Sequence, residues 1–179
     1  MGNGMDVVEK VEADHRHARA LLAELRRAAP DVLAARWPDL LHLLAVHEVA
    51  EEQVVFPAVQ SVEPGLGKVI AARIAEQRDA EELLVRMEQL DPGSHEFAAY
   101  LERLESEVLA HAAAEEEQLL SVIAARGEVL DRPTLGVRFD AAKGRAPTQP
   151  HPAAPHRPPA NLVAGPFVSF VDRVRDRLG

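Results

Sequence analysis

The chain has 179 residues, 47% of them hydrophobic, and 29 acidic against 20 basic residues give a formal charge of −9. That length suits one domain with a real core, and the acidic balance argues against a nucleic-acid partner, which needs a basic patch. Cysteine is absent, which excludes disulfides and Cys-ligated zinc or iron–sulfur sites.

The periodicity predicts four long helices. The first runs from about Val7 to Ala29, with Val8, Val11, His15, Ala18, Leu22 and Leu25 on one stripe, and Pro30 ends it. The second is expected from about Pro38, a residue suited to the first helical position, to Val62. Its stripe is Leu40, Leu44, His47, Glu51, Val54 and Ala58, and Pro57 is expected to bend it. The third covers Gly67 to Leu90, with Ile70, Ile74, Gln77, Glu81 and Leu84 in step, and Asp91-Pro92-Gly93 stops it. The fourth starts after Ser94, an N-cap residue, and reaches Arg126 through Phe97, Leu101, Leu104, Val108, His111, Glu115, Leu119 and Val122. Helices of similar length joined by short turns predict an all-α, up-down-up-down four-helix bundle over residues 5–127.

Residues 128–179 read as a C-terminal extension. Glu128 to Lys143 suggests a short fifth helix, against which Pro133 and Gly136 argue. Ala146 to Pro159 is a Pro-rich linker, and Gly165 to Leu178 is a short amphipathic helix that docks on the bundle or on a protein partner. No apolar run is long enough to cross a bilayer, so no membrane partner is expected. The first residues lack a basic stretch followed by an apolar one, and Asp6 stands where myristoylation needs Ser or Thr. The expected location is the cytoplasm.

Each helical seam is interrupted near its middle by polar residues: His15, then His47 and Glu51, then Gln77 and Glu81, then His111 and Glu115. Both His-x-x-x-Glu pairs aim an imidazole and a carboxylate at one spot, because residues four apart share a helix face. Buried polar groups need partners, and one cation satisfies all of them together. The mix of imidazole and carboxylate suits iron, manganese or zinc and argues against calcium or magnesium. A lone His on an apolar face is more often a hydrogen-bonded core residue, and His-x-x-x-Glu alone is often a surface ion pair. The coincidence of these groups in phase with the apolar stripes favours the metal site. His17, His42, His95, His151 and His156 are out of phase or in loops and receive no role.

Asp14-His15, His47-x-x-x-Glu51-Glu52 followed by Phe56-Pro57, and His111-x-x-x-Glu115-Glu116 together resemble the hemerythrin-like, HHE cation-binding family, over roughly residues 5–126. The resemblance implies a non-haem di-iron centre, with Glu51 and Glu115 as carboxylate bridges and His15, His47 and His111 as terminal ligands. It also implies a small diatomic ligand or peroxide as partner, since family members bind oxygen, sense oxygen, nitric oxide or redox state, handle iron, or break down peroxide. The chain departs from the family at Gln77, where a His is usual. Gln is a weaker iron ligand than imidazole, and Glu81, one turn on, is the expected substitute. A carboxylate-rich shell stabilises oxidised iron, which argues against reversible oxygen carriage.

The leading expectation is therefore a di-iron protein acting on or sensing oxygen, peroxide or nitric oxide; if it turns over, it is an oxidoreductase. Small residues such as Ala71, Ala72 and Ala112 to Ala114 are expected to allow close helix packing or a narrow gas path. The alternatives are a metal-storage or structural metal-binding module, holding iron or zinc, and a bundle without metal.

Overall fold

The computed structural model describes residues 4–146, and every regular element among them is helical. Helix α1 is Val7–Leu25. Asp6 caps it by accepting from the amides of Val8 and Glu9 while Glu9 returns a bond to the Asp6 amide, a reciprocal pair absent from the sequence-based expectation.

Helix α2 is Pro30–Ala50, eight residues longer at its start than expected. Helix α1 ends at Leu25, short of the expected Ala29, and Pro30 instead occupies the first turn of α2, where its missing N–H costs nothing. Pro38 lies inside this helix and removes one backbone bond. The helix continues through it because Leu33, Trp37, Leu40 and Leu41 are all buried, with the Trp37 ring edge-on to Phe97. After Ala50 the chain widens into a π turn, Glu51–Val55, closed by a bond from the Phe56 amide to the Glu51 carbonyl. Helix α3, Phe56–Val62, carries Pro57 in its first turn, where its missing N–H is absorbed at the π turn.

Helix α4 is Gly67–Met87. Helix α5, His95–Glu115, starts at Ser94, whose hydroxyl accepts from the Phe97 amide. A second π turn, Glu116–Leu120, joins it to α6, Ser121–Ala125. The wider turn rotates α6 about its axis, so Ile123 rather than the expected Val122 is fully buried. Helix α7, Arg132–Arg145, carries Pro133 in its first turn and continues through Gly136. Gly136 is required by proximity: a Cβ there would lie 2.9 Å from the Met5 carbonyl oxygen and 3.0 Å from the Asp6 carbonyl carbon.

Two apolar clusters form the core. One joins Ala18, Leu22 and Leu25 of α1 to Leu40 and Leu44 of α2, Leu84 of α4 and Leu104 of α5. The other joins Val7 and Val11 of α1 to Val54, Phe56 and Val59, Ile70 of α4, and Leu119 and Ile123. Helices α1 and α4 thus run from the second cluster to the first, and α2 and α5 run back. Leu135, Phe139 and Ala142 of α7 belong to the second cluster, so the expected extension opens with a helix built into the bundle. The Pro-rich linker from residue 147 onward and the amphipathic segment over 165–178 lie outside the described residues.

Candidate metal centre

Between the two apolar clusters lies a polar waist. His15 comes from α1, His47 and Glu48 from α2, Glu51 from the first π turn, Gln77 from α4, and Glu115 from the last turn of α5; all are buried. His111 of α5 is more open. Two groups of donor atoms converge within 4.8 Å: His15, His47, Glu51 and Glu115, and then Glu48, Glu51 and His111. Glu51 belongs to both. His47 Nε2 lies 3.3 Å from Glu51 Oε1, and His111 Nε2 lies 3.4 Å from Glu115 Oε2. Glu115 Oε2 also lies 3.5 Å from His15 Nε2, so this carboxylate stands between two imidazoles of different helices.

Each imidazole is held from behind by a carboxylate on another element. His15 Nδ1 lies 2.9 Å from Glu116, His47 Nδ1 lies 3.2 Å from Asp14, and His111 Nδ1 lies 2.9 Å from Glu76. An ionised carboxylate only accepts, so Nδ1–H is the donor in each pair and the Nε2 lone pair faces the waist. Such outer carboxylates orient metal-binding imidazoles and raise their basicity.

The charges in the waist are frustrated. Burial pushes the Glu48 and Glu51 carboxyls well above the usual range, and the nearby Glu115 charge adds to it. Burial also opposes ionisation of Glu115, but the facing His15 and His111 rings, when protonated, outweigh it and bring this group down to about 2. Burial lowers His47 despite its bond to Asp14. His15 is raised because Glu115 and Glu116 overcome the cost of burial.

The decisive test is hydrogen-bond satisfaction. Nε2 of His15, His47 and His111, both oxygens of Glu51 and of Glu115, and Oε2 of Glu48 are buried without a hydrogen bond of normal geometry. Orphaned buried polar atoms are rare in folded proteins, and here they are all metal-ligating types aimed at one space. The residues 6–123 match the family model of the hemerythrin HHE cation-binding domain. The chain belongs to the hemerythrin HHE cation-binding domain family.

The chain is 25% identical over 174 residues to an uncharacterized hemerythrin-like protein of Schizosaccharomyces pombe, spanning 96% of this chain and 86% of the relative. Its fold resembles the crystal structure of a hemerythrin HHE cation-binding domain-containing protein from Mycobacterium kansasii. The TM-score is 0.66 at 22% identity, covering 80% of this chain and 90% of that one. The waist of the HHE domain fits a metal by donor type, by burial and by the unsatisfied atoms just described.

Of the expected ligands, His15, His47, Glu51, His111 and Glu115 are brought together. Glu81 is buried one turn further along α4, toward the first apolar cluster, and lies outside both donor groups. Glu48 takes a place in the second group that the periodicity did not assign to it. Gln77 faces the space beside that group, with both atoms of its amide buried and unpaired. A cavity of about 450 Å³ opens there, walled by Leu43, Leu44, Ala80 and Val108 and reaching Gln77 and His111. Ala112 and Ala114 line it, whereas Ala71 and Ala72 are exposed and play no part in the packing.

Proposed function

We propose that this chain is a non-haem di-iron protein that acts on or senses dioxygen, peroxide or nitric oxide. One observation carries the reading: three imidazole nitrogens and the oxygens of Glu51 and Glu115 converge, buried and without a hydrogen bond of normal geometry. Because Glu51 belongs to both donor groups, it is the natural bridge between two ions, with Glu115 beside it.

Bound iron would supply a Lewis acid and exchangeable electrons. The chain's own residues supply the setting. Asp14, Glu76 and Glu116 fix the tautomer and direction of the three imidazoles. Leu43, Leu44 and Val108 give the cavity an apolar wall beside the donors. Gln77 presents an amide to the cavity, offering a small polar guest both a donor and an acceptor without adding charge.

Elemental analysis of protein expressed with iron tests the proposal directly. About two irons per chain are expected from the two donor groups, together with a change in the visible spectrum on adding peroxide, nitric oxide or azide. Colourless protein holding zinc would replace the redox reading with a structural or storage one. Protein that takes up no metal would overturn both.

A further inference from the structure

Helix α7 lies beyond the residues 6–123 that define the domain, yet it reaches the metal centre. Lys143 places Nζ 2.7 Å from Asp14 Oδ1 and 2.6 Å from Oδ2, and that same Oδ2 accepts from His47 Nδ1. One turn earlier, Phe139 is fully buried with its ring edge-on to His47, centroids 6.1 Å apart. The Lys143 ammonium sits 5.7 Å from the centre of the Phe139 ring. So α7 contributes both a wall and a charge to the outside of His47.

This placement differs from that of an ordinary surface lysine. Leu135, Phe139 and Ala142 anchor α7 in the core, and Gly136 lets its backbone touch the start of α1. The Lys143 and Asp14 side chains are only 25% and 14% exposed, so their attraction is less screened than on an open surface.

We propose that Lys143 is a positioning residue that acts through Asp14 on His47 and sets the reduction potential of the metal held by His15, His47, Glu51 and Glu115. The inference rests on the metal-binding reading above. A carboxylate behind an imidazole pushes electron density toward Nε2. A cation on that carboxylate withdraws part of the push. Lys143 therefore opposes Asp14, makes His47 a weaker donor, and favours the reduced metal. The three imidazoles are then graded. His47 is backed by Asp14 and Lys143, and His111 by Glu76, which Arg73 Nη2 holds at 2.7 Å. His15 is backed by Glu116, which no cation reaches among the described residues.

The test compares the reduction potentials of iron-loaded wild type, Lys143→Met, Lys143→Arg and Lys10→Met. Lys10 makes a separate α1–α7 ion pair with Asp140 at 2.5 Å, one turn from Asp14, and so controls for the docking of α7. Removing the Lys143 charge should shift the metal about tenfold toward its oxidised form, about 59 mV lower for a one-electron couple. Lys143→Arg should restore the wild-type value, and Lys10→Met should leave it unmoved. In metal-free protein, the His47 Nδ1–H proton resonance should shift in Lys143→Met and not in Lys10→Met. An iron-loaded Lys143→Met with wild-type potential overturns this inference and leaves the metal centre standing. A wild type that binds no iron overturns both readings, before any variant is compared.

Discussion

The two His-x-x-x-Glu helices carry nearly the same words and end in different surroundings. Each widens into a π turn at or just after its motif glutamate, Glu51-Glu52-Gln53-Val54-Val55 in one and Glu116-Glu117-Gln118-Leu119-Leu120 in the other. Both His47 and His111 line the cavity, but His47 is buried with Phe139 edge-on at its outer side, whereas His111 is more open. Glu51 is pushed toward its protonated form, and Glu115 is held ionised by two imidazoles. A motif fixes where ligands aim; their acidity and access come from residues outside it. The π turns have a use in both halves, since such turns gather at functional sites by re-aiming side chains within a continuous helix.

The sharpest way to break the comparison is to remove ligands one half at a time. Glu51→Ala should empty both positions, because Glu51 is common to both donor groups. His111→Ala should leave about one metal per chain, since the first group does not contain it. Elemental analysis of the two variants decides this, and equal losses would refute the assignment of Glu51 as the shared ligand.

A second difference lies in proton linkage. In metal-free protein, Glu48 and Glu51 have raised folded values, so their contribution to stability is complete below the unfolded carboxylate range and is lost as pH rises through the folded values. Glu115 has the opposite sign: its contribution is present above the unfolded value of 4.5 and is lost as pH falls toward about 2. The lowered His47 works against the two carboxyls as pH falls below 6.5, and the raised His15 offsets it, so metal-free protein should melt higher at pH 5 than at pH 7.5, and metal-loaded protein should not. Thermal melts at the two pH values check the prediction, and a flat metal-free profile would sink it.

Smaller effects test the seal on the His47 side. Gly136→Ala forces a Cβ against the backbone of Met5 and Asp6, and should cost about 1–3 kcal/mol in urea unfolding, the usual range for overpacking. Its loosening should appear in hydrogen exchange around His47 before His111. On the other side, Gln77→His should tighten iron at the His111 group on the order of tenfold, about 1.4 kcal/mol. No change in affinity would place Gln77 outside the reach of the metal.

Much of this was legible from the chain. Apolar seams at helical spacing located α1, α4 and α5, and polar residues in phase with those seams located His15, His47, Glu51, His111 and Glu115. Glu48 was missed because one residue after His47 it falls off a single-seam wheel. Helix α2 has no single seam: Leu43 through Ala50 are all buried, since α7 covers its outer side. The nearly continuous apolar run from Leu40 to Ala50 carried that signal, because a helix apolar all round is a buried one. Asp14, Glu76 and Glu116 each adjoin a seam position in sequence, yet each serves a histidine on a different helix. That pairing depends on how the helices pack and is invisible to periodicity. The start of α2 was misplaced because Pro30 and Pro38 both suit a first turn, and burial of Leu33 and Trp37 chose the earlier.

The contacts between α1 and α7 join residues about 130 apart, as in Lys10 with Asp140. Such distant partners meet late, because a long loop must close before they gain anything. While the chain is being made, Val7 and Val11 therefore gain the α7 part of their cover last. His47 gains its Phe139 wall only then, after every donor residue of the waist has been made.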